Sequence, residues 1–69
     1  MEPRALVGQR IRDGRERLGL SQEAFAEQIG TSFQQVSRVE RGEHDLRLST
    51  LLLFAGGIGI DPSELLRDL

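Results

Sequence analysis

Glycines that follow short apolar segments constrain this chain more than any other feature of its sequence. Gly19, Gly30 and Gly42 each come directly after a segment whose apolar side chains recur at helical spacing. Glycine readily adopts the left-handed conformation that ends a helix. No segment alternates apolar and polar residues with a period of two, so we expect no β-sheet. The sequence therefore predicts an all-α fold of short helices joined by tight turns.

The first helix is predicted from about Pro3 to Leu18. Proline suits the first turn of a helix, where its missing N–H costs no hydrogen bond. Val7, Ile11, Gly14 and Leu18 follow one another at spacings of four, three and four residues, which places them on one face. We therefore expect Leu18 to be buried with the other three.

Two short helices are predicted on either side of Gly30, and together they form a helix-turn-helix over about residues 21–42. Ser21 is a candidate N-cap for the second helix. Ser32 and Gln35 have the spacing of a capping box at the start of the third. In that motif the serine hydroxyl accepts the Gln35 N–H, and the glutamine side chain reaches back to the cap.

The last third of the chain predicts a loop and two more helices. Residues 43–48 form the loop, in which we expect Leu46 and Leu48 to turn inward. The fourth helix is predicted over about residues 49–57. The fifth is predicted over about 62–68, because an acidic N-cap followed by proline is a strong start signal. The expected architecture is a compact five-helix domain.

Composition excludes several classes of site. The 69 residues include no cysteine and one histidine, so we expect no disulfide, no metal and no cofactor. No apolar run approaches the roughly 18 residues of a membrane span, and the start lacks the pattern of a signal peptide. The expectation is a single domain over residues 1–69, cytoplasmic and without a membrane contact.

The charge of the chain is polarised along its length. Residues 1–20 carry a net charge of +2 and residues 43–69 a net charge of −3, within a total of −2. All nine basic residues are arginine, which makes planar, bidentate contacts to phosphate and guanine. An acidic last third should be held away from DNA, and we expect weak nonspecific binding.

The segment from Gln9 to Leu66 resembles the Cro and lambda-repressor-like helix-turn-helix family, also called the XRE family. The residues that carry the resemblance are Arg15-x-x-Leu18-Gly19-Leu20-Ser21-Gln22-Glu23, Phe25-Ala26-Glu27-Gln28-Ile29-Gly30, Val36-Ser37-Arg38-Val39-Glu40-Arg41-Gly42, Leu51-Leu52, Ala55, Ile58-Gly59-Ile60 and Glu64-Leu65-Leu66.

The resemblance implies a five-helix domain that binds double-stranded DNA as a dimer, with the third helix as the recognition helix. It implies that Gln22 clamps a phosphate from the start of the second helix. It also implies an internal ion pair between Arg15 and Glu40. The residues expected to point at base edges are Phe33, Gln34, Gln35 and Arg38.

Side-chain chemistry supports a reading role for two of these residues. Gln34 carries a donor and an acceptor on one amide, so it can bind adenine N6 and N7 together. Arg38 lies one turn further on the same face and can read guanine or hold a phosphate. The alternatives are a solvated surface glutamine and an ion pair from Arg38 to Glu43 or another nearby acid.

Two other positions leave alternatives open. Phe33 is expected in the exposed first turn, where it packs on a thymine methyl group or folds back towards Thr31 as a hydrophobic brace. Gln35 reads DNA or is occupied by the capping box. Further contacts to DNA phosphates are predicted for Ser32 (mainly a cap), Ser37, Arg41 and Arg47.

Apolar residues near the end of the chain predict a dimer interface. The fifth helix, with Leu53, presents more apolar surface than the last two helices can easily bury, which is typical of an interface. The predicted interface residues are Leu53, Leu65, Leu66 and Leu69, with core packing as the alternative for Leu65 and Leu66.

The expected function is a sequence-specific transcriptional regulator, most simply a repressor, that binds a palindromic operator as a homodimer. The alternative is an antitoxin or another partner-binding module in which DNA binding serves autoregulation. Catalysis is not expected, because the chain has no nucleophile–His–acid set and no phosphate-binding loop.

Overall fold

The computed structural model describes residues 2–69, and all regular structure in that range is helical. The all-α prediction with five helices is therefore confirmed. The helices are α1 (Pro3–Arg17), α2 (Gln22–Ile29), α3 (Phe33–Glu40), α4 (Leu48–Ile58) and α5 (Pro62–Leu66). None of these helices is long and apolar enough to cross a membrane.

The helix α1 ends before a glycine in the left-handed conformation, as its sequence predicts. Gly19 has a φ of 73°. Val7, Ile11 and Gly14 are buried, which confirms three of the four residues expected on the inner face. Leu18 is 48% exposed, so its predicted burial is wrong. It follows the last residue of α1, where the chain turns towards α2 and the helical period no longer sets its direction.

Serine caps begin α2 and α3. The Ser21 hydroxyl accepts the Ala24 N–H at 3.0 Å, and the Ser32 hydroxyl accepts the Gln35 N–H at 3.1 Å. Within residues 2–69, no hydrogen bond runs from the Gln35 side chain back to Ser32, so only half of the predicted capping box forms. The Gln35 side chain therefore stays free for another partner.

The ends of α4 and α5 differ from their predictions by one or two residues. The helix α4 begins and ends one residue outside the predicted range. Leu46 packs against the core, but Leu48 is 70% exposed, because it begins α4 before the buried face of that helix starts. The helix α5 stops at Leu66, since Arg67 is extended with a ψ of 133°.

An acidic N-cap fixes the start of α5. The Asp61 carboxylate accepts the Ser63 N–H at 2.9 Å. This hydrogen bond lowers the pKa of Asp61 below its ordinary value, because it favours the ionised carboxylate. The cap therefore contributes above the ordinary carboxyl pKa and is lost as the pH falls through the lowered value.

The hydrophobic core draws residues from all five helices. The rings of Phe25 in α2 and Phe54 in α4 are fully buried, with centroids 5.8 Å apart and planes at 58°. This tilted arrangement is one that aromatic pairs prefer. The other core residues are Val7, Ile11, Ala26, Val36, Val39, Leu51, Ala55 and Leu65.

A close backbone contact holds α1 against the end of α3. Gly8 is buried there, and a Cβ atom at this position would lie 2.7 Å from the carbonyl oxygen of Glu40 and also against that of Val39. Glycine therefore permits an approach between the two helices that any larger residue would prevent. This contact sets where the carboxyl end of α3 lies.

Candidate nucleic-acid interface

The helix α3 has one buried face and one face open to solvent. Val36 and Val39 are fully buried, while Phe33, Gln34 and Arg38 are exposed. The turn at residues 30–32 leads from α2 directly into this helix. The open face therefore carries a phenylalanine and a glutamine in the first turn of α3 and an arginine one turn further on, with a second, half-buried glutamine at its edge.

Four polar residues predicted to contact DNA have no internal bonding partner. In the part of the chain that the structure describes, no hydrogen bond or ion pair engages the side chains of Gln34, Gln35, Arg38 or Arg47. The alternative of an ion pair between Arg38 and Glu43 does not form, because Glu43 binds a different arginine. These side chains are free to bond an external group.

That other arginine is Arg41, which follows the last residue of α3. Its Nε and Nη2 atoms donate to the two carboxylate oxygens of Glu43 at 3.1 and 3.2 Å. Its Nη1 atom donates to the Ser37 hydroxyl at 2.5 Å. Both charged side chains are more than half exposed, so Glu43 offsets the charge of Arg41 at the edge of the α3 face.

A buried ion pair lies behind this face and joins α1 to the end of α3. Arg15 donates to the two oxygens of the Glu40 carboxylate, from Nε at 2.6 Å and from Nη2 at 3.0 Å. Its Nη1 atom donates to the Leu20 carbonyl at 2.7 Å. The hydrogen bond to Glu40 raises the pKa of Arg15 above its ordinary value. These three hydrogen bonds satisfy the pair despite its burial, and no buried side-chain nitrogen or oxygen in residues 2–69 is left without a partner.

Gln22 joins the same network from the first turn of α2. Its Nε2 atom donates to Glu40 Oε1 at 3.0 Å. This bond occupies one of the two amide N–H groups and holds the half-buried side chain in place. The second N–H and the carbonyl oxygen remain for an external partner.

Arginines of the basic first third are mostly engaged within the protein. Arg4 pairs with Asp45 at 3.0 Å, and Arg12 with Glu16 at 3.4 Å. Arg10 donates to the Leu65 carbonyl at 3.1 Å. Arg4, Arg12 and Arg15 therefore pair with carboxylates, while Arg10 and Arg17 bond only backbone carbonyl oxygens and keep their net charge.

Arg47 lies between the loop and α4. It is the N-cap residue of α4, and its side chain makes no capping bond. With Gln35 and Glu43 it lines a polar hollow between α3 and the start of α4. The loop therefore brings a free arginine beside the first half of α3.

The leucines predicted to form an interface separate into two groups. Leu65 is fully buried in the core and has no surface to offer a partner. Leu53, Leu66 and Leu69 are 38%, 41% and 55% exposed. Leu52 is also 51% exposed, although the sequence did not single it out. Its position next to Leu53, on the side of α4 away from Leu51 and Phe54, was available from helical spacing.

The pairing of Glu43 with Arg41 and the close contact at Gly8 were also missed, although both shape this site. Glu43 reads in the sequence as one of several loop acids, and its proximity to Arg41 could have suggested the pair. The need for glycine at position 8 has no local signal, because it arises from a helix that is 31 residues further along the chain.

Two short helices joined by a turn, with an unbonded polar face on the second, define a helix-turn-helix protein. This chain belongs to the helix-turn-helix family, whose model matches residues 11–65. The resemblance to the Cro and lambda-repressor-like, or XRE, family is thereby confirmed, as is the type of protein that this family comprises, transcriptional regulators.

Relatives and solved structures agree with this assignment. The chain is 40% identical over 65 residues to an uncharacterised transcriptional regulator in the ATPase CF(0) region of Rhodospirillum rubrum, and spans 94% of its own length but 60% of that protein. The restriction-modification controller protein C.AhdI from Aeromonas hydrophila matches with a TM-score of 0.81 and 39% identity, covering 88% of both chains. The P22 c2 repressor, solved in complex with a synthetic operator, matches with a TM-score of 0.81 and 32% identity, covering 90% of this chain and 94% of that one.

Proposed function

We propose that this protein is a sequence-specific DNA-binding transcriptional regulator, most simply a repressor, that acts in the cytoplasm by binding rather than by catalysis. The observation that carries this proposal is the outer face of α3, where the side chains of Gln34 and Arg38 have no hydrogen-bond or ion-pair partner within residues 2–69. Similarity to a repressor solved on its operator supports the same assignment. In such proteins the first half of the second helix enters the major groove.

Within this proposal, the free side chains of α3 read bases. Gln34 binds adenine through N6 and N7, and Arg38, one turn further on, binds guanine or a phosphate. Gln35 is available for a base or the backbone because its capping bond is absent. Phe33 adds the apolar contact of this face.

Residues around α3 hold the DNA backbone. Gln22 is oriented by Glu40, so that its second amide N–H can donate to a phosphate oxygen without further ordering. Arg47 offers a free guanidinium from the loop side. Ser32, Ser37 and Arg41 have internal bonds and add weaker contacts at the edge of the face.

Alanine at Gln34 or at Arg38 is expected to weaken binding to a selected operator by about 5- to 100-fold, the range for loss of one base contact. The operator would first be selected from randomised duplexes, and affinity would be measured by fluorescence anisotropy over a salt series. Gln28→Ala and Arg12→Ala are matched controls, since both residues are exposed on other helices.

The control variants should bind as the wild type does. Equal binding of scrambled and selected duplexes, or no loss in either α3 variant, would show that this face does not read DNA.

Glutamine in place of Glu43 is expected to raise operator affinity by about two- to fivefold. This range corresponds to the free energy of one exposed ion pair, which Arg41 no longer has to break before it binds DNA. The change releases Arg41 for a phosphate and removes a negative charge beside the DNA. If Arg41 then makes a full phosphate contact, the slope of log affinity against log salt should steepen by about 0.9. Glu64→Gln makes the same charge change on α5 and should have a smaller effect. Unaltered affinity and slope in Glu43→Gln would exclude Arg41 from the backbone contacts.

We further propose that the protein binds as a two-fold dimer to a palindromic operator. The exposed Leu53, Leu66 and Leu69 supply the apolar surface for this contact, because exposed apolar surface on a small domain favours association. A dimer of this kind would place its two recognition helices about 34 Å apart, which is one turn of DNA. Half-sites in selected operators should then be centred about ten base pairs apart.

The same exposed leucines favour the second candidate function, an antitoxin or another partner-binding module with autoregulatory DNA binding. Leu52 and Leu53 widen this apolar surface along α4. Sedimentation of the purified protein separates the two candidates. A stable homodimer supports the regulator, whereas a monomer that forms a defined complex with a second chain supports the partner-binding module.

A further inference from the structure

Phe33 differs from the other two phenylalanines of the chain. Phe25 and Phe54 are fully buried, whereas Phe33 is 44% exposed as the first residue of α3. It is not among the apolar side chains that pack against the core. Phe33 therefore does not join the core, and the exposed part of its ring is available to an external apolar group.

The surroundings of Phe33 are polar. It shares a shallow hollow on the outer side of α3 with Gln34, Ser37, Arg38 and Arg41. The Ser37 hydroxyl accepts a bond from Arg41, and Arg41 is also bound to Glu43. The hollow thus combines one apolar wall with two unbonded polar side chains, those of Gln34 and Arg38.

In the major groove, the apolar group that a base pair presents is the C5-methyl of thymine. Cytosine methylated at C5 carries the same group at the same ring position, while uracil and cytosine lack it. Residues in the first turn of a recognition helix approach base edges. An exposed phenyl ring in that turn is matched to a methyl group and has no hydrogen bond to offer any other base atom.

We propose that Phe33 reads the C5-methyl group of one pyrimidine in each operator half-site. This inference rests on the proposed function and extends it. The protein therefore distinguishes thymine from uracil at that position, and it distinguishes 5-methylcytosine from cytosine. Methylation of cytosine in the operator becomes an input that strengthens binding without any change in the protein.

The test scans the pyrimidines of a selected operator. Each thymine is replaced in turn by deoxyuridine, and each cytosine by 5-methylcytosine, symmetrically in both half-sites. At the proposed contact, thymine is also replaced by cytosine and by 5-methylcytosine. Affinities of wild type, Phe33→Ala and Phe33→Leu are measured by fluorescence anisotropy, after circular dichroism has established that the variants are folded.

At one position, removal of the methyl group is expected to lower the operator affinity of the wild type by about fourfold per half-site. This factor corresponds to the free energy of burying one such group. The wild type should bind 5-methylcytosine more tightly than cytosine there by a similar factor. Both differences should disappear in Phe33→Ala and persist in Phe33→Leu, which keeps an apolar side chain.

Two results would overturn the inference: no methyl-sensitive position in wild type, or equal sensitivity in Phe33→Ala. If Gln34→Ala still weakens selective binding in that case, the proposed function stands and methyl reading alone fails. If no duplex is bound selectively, both proposals fail together.

Discussion

Methionine in place of Arg15 is expected to lower the free energy of unfolding by about 3–5 kcal/mol. The substitution leaves the Glu40 carboxylate, 3% exposed, without the two hydrogen bonds that Arg15 now donates. Methionine retains much of the arginine stem, so loss of packing is a small part of the effect. The Leu20 carbonyl also loses its donor.

The size of this effect follows from burial, and a control on the same helix isolates it. Arg12 pairs with Glu16 at 3.4 Å, but both side chains are more than half exposed. Arg12→Met should therefore cost about 0.5 kcal/mol or less. Urea unfolding at matched protein concentration would measure both. A domain of this size has a total stability of roughly 3–10 kcal/mol, so Arg15→Met should approach complete unfolding.

A similar small loss in Arg15→Met and Arg12→Met would contradict this account of the buried pair. Arg15 stays protonated at neutral pH, because the hydrogen bond to Glu40 raises the already high pKa of its guanidinium. The stabilisation is present below the ordinary arginine pKa and is lost only as the pH rises through the raised value. The difference between the two variants should therefore not depend on an arginine titration near neutral pH.

Alanine in place of Gly8 is expected to destabilise the protein by about 3 kcal/mol, although alanine favours helices by about 1 kcal/mol over glycine. The new Cβ atom would lie 2.7 Å from the Glu40 carbonyl oxygen and against that of Val39. These are backbone atoms of α3, which cannot rotate away as a side chain can. The helix α1 must therefore separate from the end of α3.

Gly56→Ala is the matched control because it has the same chemistry with the opposite expected sign. Gly56 is exposed within α4, and an added Cβ atom would meet nothing within 4 Å. Removal of glycine flexibility should stabilise the protein by about 0.5–1 kcal/mol. Thermal and urea unfolding would measure both variants. Stabilisation by Gly8→Ala would show that α1 and α3 are not held at this distance.

The separation of α1 from α3 should also weaken DNA binding. Glu40 would move away from Arg15, and the carboxylate that orients Gln22 would lose its ion-pair partner. Gly8→Ala protein that remains folded at low temperature should therefore bind the operator more weakly than wild type. Gln28→Ala is the control for operator affinity, because Gly56 lies only three residues from Leu53, which belongs to the proposed dimer surface.

Helix positions were predictable because their signals lie within a few residues of one another. Ser21, Ser32 and Asp61 each begin a helix, as their side chains and spacing indicate. Errors occurred at the ends of helices, where helical spacing no longer sets which side chains are buried. Leu18 and Leu48 are apolar and close to helical faces, but both lie at helix ends that no other element covers.

The candidate site was predictable in its residue types but only partly in its bonding. Gln34 and Arg38 were assigned to the outer face because Val36 and Val39 take the inner one. The return bond of Gln35 was expected from a local motif and does not form. The pair between Arg41 and Glu43 was not anticipated, since a loop brings its two members together after α3 has ended.

The sequence by itself determined the all-α class, the order of the five helices, three of their N-caps and the helix-turn-helix family, because each depends on spacing and turn chemistry within short segments. The tertiary structure alone decided which polar groups remain free. In the folded chain, one N–H of Gln22 bonds Glu40, Glu43 offsets the charge of Arg41, and Leu65 is buried. Within residues 2–69, the side chains of Gln34 and Arg38 have no hydrogen bond or ion pair. These outcomes depend on the distance between α1 and the end of α3 and on the path of the loop, which involve residues far apart in the chain.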